Sequence, residues 1–216
     1  MNLVYVYLTL LLLNIFFVIN IIFSSYNNGP KKIKTFCTIV SLGLILRYLG
    51  LLFTFIMQNI EHIYNIRYLI SLNIIGIPGV LLLSYYIFLR KDGLKINFIF
   101  IILGLLIIMY IGIIKFVQVS FEIHPIYGYA MKYIEQGWIN IGYIFILSLI
   151  LFMCIISYGV KNSIESGIIM VMVSVMIIIG ENILILLGFN LDYNTLIGEL
   201  VSLITLYYGI KSLKKR

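Results

Sequence analysis

Charge is what this sequence has least of. Only 11% of its 216 residues are Asp, Glu, Lys or Arg, against roughly a quarter in an ordinary soluble domain. A chain so poor in charge cannot cover a water-facing surface. That excludes an ordinary soluble enzyme, a disordered regulator and a nucleic-acid-binding module. Cysteine is nearly absent: Cys37 and Cys154 are the only two. Neither is expected to reach an outer face and no C-x-x-C pair exists, so neither a structural disulfide nor a zinc site is expected. Alanine occurs once, as Ala130, which removes the alanine-patterned coupling face of vitamin-uptake subunits. The two histidines, His62 and His124, fall in connections beside Glu61 and Glu122 without metal-ligand spacing. There is no H-E-x-x-H, no nucleophile elbow of the G-x-S-x-G type, and no lysine between positions 195 and 210 for a retinal Schiff base. The expectation is a non-enzymatic protein with no cofactor and no metal.

Apolar residues fill the space that charge leaves. They make up 62% of the chain, with a mean hydropathy of +1.13. Punctuated by its polar breaks, the sequence falls into seven apolar runs, at about 3–24, 35–58, 68–89, 96–117, 138–160, 166–188 and 195–211. Each is long enough to cross a hydrocarbon core of about 30 Å as a helix. Barrel strands would instead alternate strictly over about ten residues. The expected fold is all-α: a single domain over 1–216, an integral membrane bundle of seven transmembrane helices in the plasma membrane. The first run has no basic residue before it and no good cleavage site after it, so it reads as a retained span.

The basic residues set an orientation. Lys31, Lys32, Lys34, Arg90, Lys91, Lys95, Lys161, Lys211, Lys214, Lys215 and Arg216 fall on one side of a seven-span chain. Arg67 and Lys132 lie on the other, with Lys115 at a helix end. The positive-inside rule then puts the N-terminus outside and the C-terminus in the cytoplasm. The net charge of +7 is a topology signal with some attraction to anionic lipid; it implies no nucleic-acid partner. Tyr127, Tyr129, Tyr133 and Trp138 fit an interfacial belt, with contact to a ligand as the alternative. The connection 118–137 is the one long loop. It reads as an interfacial half-helix broken by Pro125 and Gly128. Within the third run, Gly76, Pro78 and Gly79 predict a kink.

Three ionisable residues interrupt the spans: Arg47, Glu181 and Glu199. Each costs about 2.5–3.5 kcal/mol at a helix centre on insertion scales. Helical spacing puts Gly43, Arg47, Gly50, Thr54 and Gln58 on one stripe of the second helix. Gly167, Ser174, Glu181 and Gly188 share a stripe on the sixth, and Thr195, Glu199 and Ser202 one on the seventh. Such stripes face other helices, because lipid leaves polar groups unsatisfied. The fourth helix, nearly all Ile, Leu, Phe and Met, is expected at the periphery. Two readings of the polar residues stand. Arg47 pairs with Glu181 or Glu199 to fix helix register, or Arg47, Asn73, Glu181, Asn182 and Glu199 line an outward-open cavity for a small ligand.

A set of loosely patterned segments carries a family likeness. They are Arg67-Tyr68 followed by Asn73-Ile74-Ile75-Gly76-Ile77-Pro78 and Tyr85-Tyr86, then His124-Pro125-Ile126-Tyr127-Gly128-Tyr129 leading to Trp138. The last are Asn182, Leu186-Leu187-Gly188, Leu191-Asp192, Leu196 and Tyr208-Gly209. Over essentially its whole length the chain resembles the N-terminal seven-transmembrane sensor region of certain bacterial histidine kinases. The resemblance implies a membrane sensor that takes an extracellular or membrane-borne small ligand. With no kinase module following Lys214-Lys215-Arg216, the signal is expected to pass to a separate cytoplasmic or membrane partner. A small-solute transporter or substrate-binding membrane subunit is the alternative, and a membrane scaffold the second.

Overall fold

In lipid, a backbone segment must satisfy its own N–H and C=O groups. Long Ile- and Leu-rich runs therefore become helices despite the modest helix propensity of Ile. A computed structural model of the chain describes residues 2–57, 60–89, 97–124, 128–189 and 195–213. Its elements are α1 (Asn2–Asn28), α2 (Lys31–Ile56), α3 (Ile60–Ile70), α4 (Asn73–Leu89), α5 (Asn97–Phe116), β1 (Val119–His124), β2 (Gly128–Tyr133), α6 (Gln136–Ser157), α7 (Glu165–Leu186) and α8 (Leu196–Leu213). Among the described residues, seven helical stretches are long and apolar enough to cross a membrane. Large apolar side chains such as Phe16, Ile108, Phe145 and Met176 lie exposed along them, a surface that only lipid can cover. The chain is a multi-pass protein of the plasma membrane. Arg90, Lys91, Lys95 and residues 214–216 of the basic set, and Gln58, Pro125, Tyr127 and Asp192, lie outside the described residues.

The helices pack around α4, fourteen of whose seventeen residues are buried. It touches α2, α5, α6, α7 and α8, while α1 bridges α2 and α8. As expected, α5 is peripheral and buries only Ile99, Leu103 and Leu106.

Two local expectations need correction. The interruption of the third span expected at residues 76–79 lies elsewhere, since α4 stays one helix from Asn73 to Leu89 with Pro78 inside it. Gly76 and Gly79 serve close packing: a Cβ on Gly76 would lie 2.5 Å from Leu44 Cδ2, and one on Gly79 3.0 Å from Val40 Cγ2. The third span breaks earlier, at Ser71 and Leu72 between α3 and α4. There the Ser71 N–H and hydroxyl both donate to the carbonyl of Arg67, at 3.1 and 2.8 Å. The second correction is to an all-helical reading of the connection 118–137, which holds an antiparallel hairpin with Val119 opposite Tyr133 and His124 opposite Gly128. Val119, Phe121 and Ile123 alternate with Ser120, Glu122 and His124, a period of two that suits a strand better than a helix.

The hairpin sits against the C-terminal end of α2. At Gly128, φ is +74°, and an added Cβ would stand 2.7 Å from the Thr54 carbonyl oxygen and 2.9 Å from Phe55 Cα. Both are backbone atoms that cannot swing aside. Phe121 packs edge-on against Tyr64 of α3 with ring centroids 5.1 Å apart. Gly128→Ala is expected to cost about 1–3 kcal/mol through the left-handed backbone alone, more with the collision. Hydrogen exchange of the hairpin amides should rise while the amides of α4 keep their protection. Unchanged hairpin protection would refute this seating.

Candidate functional site

The buried charges come together at the hairpin end of the bundle. Arg47, in the second half of α2, is 5% exposed, and Glu199, in the first turn of α8, is 1% exposed. The Arg47 Nη1 group donates to Glu199 Oε2 in a buried ion pair. The Tyr48 hydroxyl donates to the same oxygen at 3.0 Å. The Thr195 hydroxyl donates to Glu199 Oε1 at 2.8 Å. Both carboxylate oxygens are thus occupied, the condition under which a buried pair holds together.

Glu181 is used otherwise. Its Oε1 accepts the backbone N–H of Gly198 at 3.1 Å. That N–H belongs to the first turn of α8, where helix donors have no intrahelical acceptor. Glu181 therefore caps α8 from α7, its carboxyl oxygen placed at the helix end where unpaired N–H donors gather. The approach requires glycine, because a Cβ on residue 198 would lie 2.6 Å from Glu181 Oε2 and from Ile178 Cγ1.

Above the ion pair lies a water-accessible cavity of ≈ 120 Å³. On the same measure a single water needs about 10–15 Å³, so the space suits a small molecule rather than a peptide. Its walls come from several elements at this end. Arg47 belongs to α2, Ser71 to the helix break and Asn73 to the start of α4; Asn140 and Tyr143 come from α6 and Asn182 from α7. Met131 and Tyr133 of β2 close it on the hairpin side. The Tyr133 hydroxyl is 2.8 Å from Ser71 Oγ, which ties the hairpin to the break in the third span. Burial pushes the Tyr133 phenol above its usual range, with the Ser71 hydrogen bond and the Arg47 charge acting in the opposite direction.

Of the five residues expected to line a cavity, Arg47, Asn73 and Asn182 do so. Glu199 stands behind Arg47, and Glu181 is taken up by α8. Arg47 pairs with Glu199, and among the two carboxylates only Glu199 meets it. The side-chain amide of Asn182 donates to the Ile178 carbonyl at 2.8 Å. Tyr48, Asn140 and Tyr143 join the site without having been expected there from the sequence, and Tyr133, read as an interfacial anchor or a ligand contact, lines the cavity. For α6 a signal existed: Asn140, Tyr143, Leu147, Ile150 and Cys154 recur at spacings of three and four, and the last four are all buried. Asn14 is a further unexpected member of the polar interior. It is fully buried in α1 and donates to the Leu196 carbonyl at 3.2 Å.

Four unpartnered polar atoms gather here. Arg47 Nε, Asn73 Oδ1, Asn140 Nδ2 and the Tyr143 hydroxyl are buried without a hydrogen-bond partner among the described residues, and all four side chains line the cavity. Buried polar groups are nearly always satisfied, and these four side chains border a space large enough for several waters or another small polar molecule. No group of three or more metal-ligating side chains occurs among the described residues.

No protein-family model matches this sequence, and no curated protein is similar to it. The likeness to histidine-kinase sensor regions rests on the loosely patterned segments between Arg67 and Gly209 alone.

Proposed function

We propose that this protein is a membrane sensor module that binds a small polar ligand in the hairpin-end cavity and passes the signal to a partner. The chain does no chemistry on the ligand. In the orientation favoured by the basic residues, the cavity faces outward and the ends of α4 and α7 near Leu89 and Glu165 face the cytoplasm. The observation that carries the reading is the gathering of four unpartnered polar atoms around one space. Beneath it the bundle is filled by Leu44, Leu81, Val175 and Leu203, each fully buried. A ligand that favours one packing of α2, α6, α7 and α8 over another shifts their populations, which is all a sensor requires.

Ile185 lines the cavity from α7. In a background with Cys37→Ser and Cys154→Ser, an Ile185→Cys variant should react with a membrane-impermeant thiol reagent applied to intact cells. Labelling only after lysis would reverse the orientation, and no labelling in either case would remove the cavity reading.

A transporter is the second reading, favoured by the discontinuous third span. Broken helices at a cavity are a recurring device of solute transporters, and here Ser71 and Asn73 flank the break and line the space. Purified protein in liposomes separates the two: the sensor reading expects binding without solute flux.

A further inference from the structure

The lining of the cavity also defines the chemistry of its guest, an inference that deepens the ligand-binding reading and rests on it. Among the described residues that line the space, Arg47 is the sole charged one, and no acidic side chain is present. Glu199 engages the Nη1 group of the guanidinium, while Nε is unpartnered. Asn140 Nδ2 is a second unpartnered donor, and the Tyr143 hydroxyl can act as a third. Asn73 Oδ1 is the one unpartnered acceptor of the set. Ser71, Tyr133, Asn182 and Thr195 add hydroxyl and amide groups to the wall, and Ile70, Ile74, Met131, Ile139 and Ile185 make up its apolar part.

Unpartnered donors in excess beside an arginine, one unpartnered acceptor, and an aliphatic part of the wall describe a specific kind of molecule. We infer that the cavity takes a small carboxylate with an aliphatic body and an N–H or O–H donor beside the carboxylate, as in an apolar amino acid or hydroxy acid. The carboxylate meets Arg47, Asn140 and Tyr143, since charge-assisted hydrogen bonds are the strong ones. The neighbouring donor meets Asn73, and the aliphatic body lies along the isoleucines. An amine lacking the carboxylate finds an arginine and no counter-charge. The size agrees, because a cavity of ≈ 120 Å³ is small beside the roughly 300–1,000 Å³ pockets of drug-sized ligands.

The test uses the full chain in lipid nanodiscs, with the position-185 cysteine as reporter and four probes. Leucine carries all three features, 4-methylpentanoate lacks the amine, leucinamide lacks the carboxylate charge, and isoamylamine lacks the carboxylate. Leucine should shield the thiol from the reagent. 4-Methylpentanoate should need roughly tenfold more, the worth of one hydrogen bond, and the other two should give no shielding. Asn140→Leu and Tyr143→Phe leave the ion pair intact and should each raise the leucine requirement about ten- to a hundredfold. Equal shielding by leucinamide or isoamylamine overturns the carboxylate assignment. A reactive thiol that none of the four probes protects overturns it too, while the cavity itself stands. A thiol that never reacts removes the cavity reading beneath it.

Discussion

Replacing Arg47 by alanine is expected to destabilise the bundle by about 3–5 kcal/mol, the usual cost of stranding one partner of a buried ion pair. Glu199, 1% exposed, would keep its contacts to Tyr48 and Thr195 but lose its only cationic partner among the described residues. Glu199→Ala should cost a similar amount, since it leaves the guanidinium buried with no counter-charge. The double variant is the informative one. Removing both charges together takes away the stranded group, so its cost should fall short of the sum of the two single costs by several kcal/mol. Unfolding in detergent or bicelles, followed by tryptophan fluorescence or by thiol exposure at Cys37 and Cys154, would measure all three. An additive cycle would refute the pairing.

Glu181 supplies the contrast that tells a cap from an ion pair. Glu181→Gln keeps an oxygen for the Gly198 N–H and should be tolerated within about 1 kcal/mol. Glu181→Leu loses the cap and should cost about 0.5–2 kcal/mol. Neither should couple to Arg47. A strong coupling between positions 47 and 181 would mean that Arg47 chooses the other carboxylate.

The spans, the peripheral position of α5 and the burial of Arg47 were all legible in the sequence, because each follows from the one-dimensional distribution of polarity in a lipid solvent. The choice of carboxylate was not. Spacing puts Glu181 and Glu199 at similar depth, and only the approach of α8 to α7 at Gly198 decides that one caps a helix while the other meets the arginine. The hairpin was legible in principle, since the alternation from Val119 to His124 is as regular as the helical stripes. It lost to the expectation that a loop beside a membrane forms an interfacial helix. The break at Ser71 was masked by the louder signal of Gly76, Pro78 and Gly79. Those glycines turn out to relieve contacts across α2, a tertiary use that no local pattern announces. Tyr133 looked like a membrane anchor because aromatic residues at an interface usually are; its hydrogen bond to Ser71 depends on where the hairpin folds back.

At the other end of the bundle, Gly167→Val is expected to be among the most damaging single substitutions in the chain. A Cβ at position 167 would fall 2.1 Å from Phe88 Cδ1 and 2.3 Å from its Cγ. The Phe88 ring is fully buried and has no room to retreat, for its Cζ stands 3.1 Å from where a Cβ on Gly209 would be. Two glycines on α7 and α8 thus make the slot that holds one ring of α4. The backbone is fastened there as well, with the Ile164 N–H donating to the Phe88 carbonyl at 2.8 Å. Overpacking of a tight core costs about 1–3 kcal/mol, and valine adds three carbons where the first already collides, so the upper end is expected. Phe88→Ala alone should cost about 3–5 kcal/mol by leaving a cavity. Together the two changes should recover part of both losses, because valine then grows into space the ring has vacated. Thermal unfolding of the four proteins would show it, and a double variant no better than the worse single one would refute the slot. The consequence reaches the proposed function through α4. That helix runs about 22 Å from Asn73 at the cavity to Phe88 in its slot, so a shift of its first turn by a ligand is delivered where α7 begins. A variant that loosens the slot, such as Phe88→Leu, should leave leucine shielding at position 185 intact while altering proteolysis or labelling near Ser163 at the far end.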